Sequence, residues 1–187
     1  IYRAPKTTVI NKEHKKYPYL LKGLEITKKN QVWATDITYI PMNKGFMYLI
    51  AIIDLHTRMV LNWEVSNSMN AEWCAKMLEE TIEKCGKPEI FNTDQGSQYT
   101  SDIHVNVLKN NDIKISMDGK GRAIDNIFIE RLWRSVKYDN VYLQAYVDGI
   151  SFHNGMKRYF DFYNNERFHQ SLNYKTPSEM YHQKEAA

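Results

Sequence analysis

Between Gln31 and Ser66 the chain carries three runs dominated by apolar residues and joined by short turns. The first, VWATDITYI, is rich in β-branched and aromatic residues and has little polarity on either face, which predicts a central strand covered on both sides. The segment MNKG is a turn, and FMYLIAIID predicts a second buried strand. After HTR comes a third, MVLNWEVS, joined closely enough to make an antiparallel meander. From Asn70 to Lys84 the period changes. Trp73, Cys74, Met77, Leu78 and Ile82 recur at three- and four-residue spacing and predict a helix, which Gly86 and Pro88 end. EIFNT predicts a fourth strand running directly into Asp94, Thr100 to Asn110 a modest helix, and IKISM a fifth strand. DGKGRAIDN is a Gly-containing basic loop. A helix from about Asp125 to Tyr138 follows, then one from about Gly149 to Asn164, striped by Met156, Tyr159, Phe160 and Tyr163. The last twenty or so residues are polar and irregular, and residues 1–30, with Pro5 and Pro18, read as an extended arm.

Three meandering strands followed by alternating helix and strand predict an α/β fold with a mixed five-stranded sheet flanked by helices. The order matches the ribonuclease H-like fold, while pattern alone leaves other mixed folds open. The expected division is an arm over residues 1–30, a catalytic-sized core over 31–165 and a C-terminal tail over 166–187. A length of 187 residues suits one domain with appendages. With 43% hydrophobic and 25% charged residues, wholesale disorder is excluded. The longest apolar run, Phe46 to Ile53, is too short to cross a bilayer, and nothing at the N-terminus resembles a signal peptide. Because the first residue is Ile1, the expectation is a piece of a longer protein. Cys74 and Cys85 match no zinc or disulfide spacing, so a reducing cytoplasm is the expected setting.

Charge changes the picture more than composition does. Residues 1–30 hold eight Lys or Arg against two Glu, a net +6, so with +3 overall the remaining residues sum to −3. A basic arm before a mildly acidic body points to a polyanion, usually nucleic acid, although a Lys-rich solvated linker has the same composition.

Three acids stand out by context. Asp36 lies inside the first strand, where a charge among apolar neighbours is costly unless compensated. Asp94 sits at the end of the fourth strand, with Gly96 leaving room for a close approach. Glu130 lies on the helix after the basic loop. Carboxylates that must stay charged together are stable around hard divalent cations, and two such ions can activate an attacking oxygen and stabilise the leaving one at a phosphodiester. Singly, each has a plainer reading: a hydrogen-bonded residue at a sheet end, a turn former, an exposed helix residue. Asp54 begins the HTR turn, Asp102 lies in an early helix turn, and Asp125 is placed to cap the helix after it. At 100° per residue, Ile129, Leu132 and Val136 form one stripe of that helix, with Trp133 at its margin. Asn126, Glu130, Arg134 and Lys137 cluster on an adjacent face, suiting either a metal site bordered by phosphate-binding groups or a Glu130–Arg134 ion pair on a solvated face.

These residues, taken in order, resemble the catalytic domain of DDE transposases of bacterial insertion sequences (OrfB type), of the retroviral-integrase-like superfamily. The resemblance covers nearly the whole chain and rests on Asp36 in WATDITYI, Asp94 in NTDQGSQYTS and Glu130 in GRAIDNIFIERLWRSVKYD. Thirty-five residues separate Asp94 from Glu130, the spacing of the family, and Lys137 stands seven beyond Glu130, where the family places a basic residue. YNNERFHQSLNYKTPSEMY resembles the tail motif that closes such domains. The family usually has Pro where Phe168 stands and often Glu where Asp139 stands.

The resemblance implies a metal-dependent polynucleotidyl transferase in which Asp36, Asp94 and Glu130 hold two Mg²⁺ ions, with Mn²⁺ able to substitute. Water attacks at the element's end to expose a 3′-OH, which then attacks a second phosphodiester. Lys120, Arg122, Arg134 and Lys137 are candidates for gripping DNA, and Gln95 and Asn126 for positioning DNA or water. The implied partners are double-stranded DNA, as transposon ends and target, and further copies of the chain in a homo-oligomer. No membrane or small-molecule cofactor is implied, and the expected location is the bacterial cytoplasm in association with the nucleoid. GKGR is not a P-loop, since GxxxxGK followed by Ser or Thr is missing. The alternatives are a ribonuclease H-like nuclease without strand transfer, and a non-catalytic DNA-binding or assembly module.

Overall fold

Trp33 is fully buried, and its neighbours Val32 and Ala34 are buried against the opposite face. This alternation, apolar in both directions, is what a strand needs to lie at the centre of a sheet covered on both sides. The computed structural model describes residues 16–42, 45–119 and 127–183. The strands are β1 (Val32–Pro41), β2 (Phe46–Asp54), β3 (Val60–Ser66), β4 (Ile90–Thr93) and β5 (Lys114–Met117). They form one sheet in the order β3-β2-β1-β4-β5. β1–β2 and β2–β3 are antiparallel, whereas β1–β4 and β4–β5 are parallel, so the sheet is mixed as expected.

The helices are α1 (Ala71–Cys85), α2 (Ser97–Thr100), α3 (Asp102–Asn110), α4 (Ile127–Val136), α5 (Tyr142–Gln144), α6 (Gly149–Asn165) and α7 (Pro177–His182). Met77 and Leu78 of α1 and Val105 and Leu108 of α3 cover the face that holds Trp33, Ile50, Ile52 and Phe91. Ile129, Leu132 and Val136 of α4 and Phe152, Met156 and Phe160 of α6 cover the face that holds Val32, Ala34, Leu49, Ala51 and Ile53. Caps fix the helix ends. The Asn70 side chain accepts from the Trp73 amide, Gly86 closes α1 at φ +80°, and Asp148 with Ser151 forms a capping box for α6. Among the described residues no helix is long and apolar enough to cross a membrane, and both cysteines are free.

The five strands lie where the pattern places them, and three other expectations change. The helix expected to run to Tyr138 is α-helical only through Val136 and continues as a π-helical turn over Lys137–Val141. The tail is not irregular throughout. Pro177 stands in the first turn of α7, and Thr176 and Glu179 close a reciprocal capping box around its start. The described part of the arm packs on the body: Leu21 and Ile26 rest against the core, and Leu20 N–H donates to Ser116 Oγ at 3.0 Å.

Asn30, just before β1, joins these distant pieces. Its backbone N–H donates to Asp54 Oδ2 at 2.7 Å, and its Nδ2 donates to the Cys85 carbonyl at 3.1 Å. Its Oδ1 accepts from Trp33 Nε1 and from the Tyr181 hydroxyl, both at 3.0 Å. The residue is left-handed at φ +59°, a conformation Asn tolerates better than most. Replacing Asn30 by Ala orphans the Trp33 indole and leaves the Tyr181 hydroxyl and the Cys85 carbonyl with only their mutual bond at 3.3 Å, with an expected loss of about 2 kcal/mol in urea unfolding. Asn30→Gly, which relieves the backbone, should lose nearly as much. A Gly variant as stable as the parent would show that the side-chain bonds carry little.

Candidate catalytic site

The parallel pairing of β1 and β4 brings the first two acids together. Ala34 lies opposite Asn92, so two residues further on Asp36 lies beside Asp94, where β4 has just ended. Asp36 shares the face of Val32 and Ala34, which is the face α4 covers. Across that interface Trp133 Nε1 donates to Asp36 Oδ2 at 2.9 Å. Asp94 is held by a tight local turn in which Gly96 N–H donates to its Oδ1 at 2.8 Å. Gly96 needs no special backbone freedom there, since its φ is −61°. Glu130, one turn before Trp133, is exposed on α4.

The electrostatics couple the three. Burial, helped by the neighbouring charges of Asp94 and Glu130 and opposed by the bonds from Trp133 and the Ile37 amide, pushes the Asp36 carboxyl up to about 6. Burial also raises Asp94, offset in part by the Gly96 amide. Among the described residues no three His, Cys, Asp or Glu side chains are grouped closely enough to enclose a metal ion. The acids are thus linked by mutual repulsion without forming a closed cage. All three offer hard carboxylate oxygens, and a divalent cation would relieve the repulsion that Asp94 and Glu130 exert on Asp36, so the residues present fit one.

The other expected site residues divide three ways. Arg134 is exposed on α4 and Lys137 opens the π-helical turn, both on the Glu130 side of the helix. Gln95 is occupied by structure, its Nε2 donating to the Asp118 carbonyl at 2.8 Å. Lys120, Arg122 and Asn126, with the capping residue Asp125, lie outside the described residues. Two participants escaped the sequence reading. Trp133 sits at the margin of the apolar stripe, and its N–H acquires meaning only when Asp36 is opposite. Asp118, beyond β5, accepts from Asn92 Nδ2 at 2.8 Å and so braces the strand end that delivers Asp94.

The plainer reading holds for Asp54. It is fully buried and accepts from Thr57 N–H and Thr57 Oγ1, both at 2.8 Å, as well as from Asn30. Its oxygens are consumed by the β2–β3 turn.

Comparison with known proteins gives a consistent picture. Two family profiles, each described as an integrase core domain, match residues 26–123 and 111–177. The chain is 31% identical over 161 residues to the transposase for insertion sequence element IS904 of Lactococcus lactis subsp. lactis (strain IL1403), covering 82% of this chain and 62% of that protein. It is 29% identical over 166 residues to the putative transposase InsK for insertion sequence element IS150 of Escherichia coli (strain K12), covering 88% of this chain and 59% of that protein. The chain thus spans somewhat less than two thirds of the length of these relatives. Among solved structures, the HTLV-2 integrase catalytic core domain in complex with magnesium superposes with a TM-score of 0.69 at 18% identity, covering 83% of this chain and 98% of that one. A chain of the simian T-cell lymphotropic virus intasome, solved with PP2A regulatory subunit B56 gamma, gives 0.74 at 17% identity, covering 93% and 61%. At such identities the likeness speaks for the fold, which is ribonuclease H-like.

Because the folded Asp36 titrates near 6, above the ordinary value of 3.8, the folded state binds its proton more tightly than the unfolded chain. The stabilisation from that proton is complete below about 4 and is lost as pH rises through about 6. Asp36→Asn keeps an acceptor for Trp133 and removes the desolvated charge. In chelator-treated protein it should be more stable than the parent at pH 7.5, by up to about 2 kcal/mol, and no more stable at pH 3.5. Thermal or urea unfolding at the two pH values checks this, and a destabilised Asn variant at pH 7.5 would contradict it.

Proposed function

This chain belongs to the integrase core domain family, and on that premise we propose that it is the catalytic core of an insertion-sequence transposase. Its reaction is metal-dependent cleavage at the 3′ ends of the element followed by strand transfer. What supports this reading is the β1–β4 pairing that sets Asp36 beside Asp94, with the charges of Asp94 and Glu130 adding to the burial that raises the Asp36 carboxyl.

Asp36, Asp94 and Glu130 are the residues that hold the divalent ions. Two Mg²⁺ ions, or Mn²⁺ in their place, supply activation of the attacking oxygen and charge relief at the leaving oxygen of a phosphodiester. Trp133 keeps Asp36 aimed by holding one of its oxygens, and the Gly96 amide does the same for Asp94. Arg134 and Lys137, on the Glu130 side of α4, bind phosphates beside the scissile bond, with Lys120, Arg122, Asn126 and Gln95 as further contacts. In the first step water displaces the 3′ oxygen at the element's end, leaving a 3′-OH and a 5′-phosphate. In the second, that 3′-OH attacks another phosphodiester, one bond forming as one breaks, so no external energy source is needed. The partners are transposon-end and target DNA, bound by a homo-oligomer in the bacterial cytoplasm. Residues 1–30 provide sequence-independent grip.

Glu130→Gln preserves shape and helix propensity while removing one anionic ligand. It should lower Mg²⁺-dependent cleavage by at least about two orders of magnitude, roughly 3 kcal/mol in transition-state stabilisation, with DNA binding little changed. Asp54→Asn is the control: stability falls, and activity per folded molecule survives. Near-native cleavage by Glu130→Gln would sink the assignment, and cleavage without joining of pre-nicked ends would reduce the chain to a nuclease. For the arm, residues 16–30 pack on the body, so the informative deletion is residues 1–15, which removes Arg3, Lys6, Lys12 and Lys15. If about two of them touch phosphates, the slope of log affinity against log salt flattens by about 2. An unchanged slope would make this part of the arm a spacer.

A further inference from the structure

On the flank of α4 turned away from Trp133 lies a cavity of about 380 Å³ that the catalytic reading does not use. Three guanidinium groups line it, each from a different part of the chain: Arg58 from the β2–β3 turn, Arg131 from α4, and Arg167 from beyond α6. Among the described residues no carboxylate lines it. Its remaining polar groups include Ser135, Ser171 and His169, whose Nε2 is buried with no hydrogen-bond partner among the described residues.

Two of the guanidiniums are held in place in advance. Arg58 stacks on the Phe128 ring, 3.8 Å from its centroid, and donates through Nη1 to the Leu55 carbonyl. Arg167 donates to Ser135 Oγ at 2.9 Å and pairs with Asp139 at 2.9 Å. Arg131, exposed at the rim, forms no ion pair among the described residues. The positive charge is therefore only partly compensated. Burial, and secondarily Arg131, lowers Arg58 against the opposing pull of Tyr163 and Asp54, and burial together with Arg167 and Arg58 pushes the His169 ring down to about 4. Two anchored, partly desolvated guanidiniums and a third, exposed arginine lining one space match the tetrahedral oxygens of a phosphate. Phe168, 68% exposed, stands at the same mouth. An aromatic face beside the cations suits a nucleotide unit, with its sugar and base, better than a bare ion.

We propose that the cavity between α4 and residues 167–171 is a phosphate site that takes a backbone phosphate of nucleic acid, gripped by Arg58, Arg131 and Arg167. The choice of nucleic acid rests on the function proposed above, whereas the phosphate chemistry does not. The site lies off the Glu130 face of α4, so it positions a strand beside the chemistry and is not itself part of the reacting centre.

The test uses the whole chain without divalent ions, as parent and as Arg131→Gln, a substitution at an exposed position that leaves the core untouched. In one arm, inorganic phosphate replaces chloride at constant ionic strength while the His169 ring signals are followed by NMR. A saturable shift is expected, and it should be weakened about tenfold in Arg131→Gln, the loss of one charge-assisted contact. In the other arm, a duplex oligonucleotide is titrated across salt concentrations. Arg131→Gln should weaken binding and reduce the salt slope by about 0.9. No saturable His169 response to phosphate in the parent, or one that Arg131→Gln leaves unchanged, would overturn the site. A phosphate response with an unchanged DNA slope would overturn the nucleic-acid occupant in favour of a free phosphate. The function proposed above fails separately, by cleavage surviving in Glu130→Gln.

Discussion

A carboxylate set into the central strand of a sheet covered on both faces is the constraint around which this molecule is arranged. Asp36 cannot turn outward, because β1 is paired along its length with β2 and its side-chain direction is fixed by the pleat. It faces the layer that holds α4, where the indole of Trp133 meets it. That contact does two things together. It supplies a donor to a charge that burial disfavours, and it sets the rotation of α4 about its axis, since Ile129, Leu132 and Val136 must then enter the core beside it. Glu130 lies one turn from Trp133, so the bond that makes the first acid tolerable also determines where the third one stands.

Burial alone does not separate acids that the fold satisfies from acids it leaves short of donors. Asp54 is more deeply buried than Asp36, and three donors from its own turn and from Asn30 satisfy it. Asp118 takes the Asn92 amide in the same spirit. Asp36 and Asp94 are less well supplied, the one by an indole and an amide, the other by the Gly96 amide, and both carry raised pKa values. An acid left short of donors next to other acids retains a demand for positive charge, and a cation can meet it.

The strands were legible because both-face burial writes a continuous β-branched and aromatic run, as in VWATDITYI and FMYLIAIID. The three acids were legible as a set through the resemblance of their spacing to a known family, since each alone reads more simply as a hydrogen-bonded residue at a sheet end, a turn former or an exposed helix residue. What stayed hidden depends on partners far away in sequence. Leu21 and Ile26 show no period because they pack against the core from a non-regular segment, with Leu20 and Leu24 exposed between and beside them. The role of Asn30 needs Cys85 and Tyr181, and that of Trp133 needs Asp36, 97 residues away. The case of α7 differs: its signal, Thr176 and Glu179 around Pro177, was in the sequence, but six residues are too few for an amphipathic stripe to register.

The two flanks of α4 carry different electrostatic demands, and the backbone reflects it. Glu130 and Arg134 look to one side, and Arg131 and Ser135 to the other, where the arginine-lined cavity opens. Across that cavity Arg58 sits at φ +63° in the turn between β2 and β3. A glycine would adopt this conformation freely, while an L side chain there costs about 1 kcal/mol. The turn itself needs only the Arg58 amide, which donates to the Asp54 carbonyl at 2.9 Å, and a glycine supplies that amide equally well. The side chain adds its stack on Phe128 and its bond to Leu55, and both serve to hold a guanidinium at the cavity wall. Strain retained at a position where the turn would be better without it points to a role for the side chain beyond the fold. The same helix therefore carries Glu130 on one flank and a wall of the arginine-lined cavity on the other. The core contacts that Asp36 and Trp133 impose on α4 keep the two at a fixed separation.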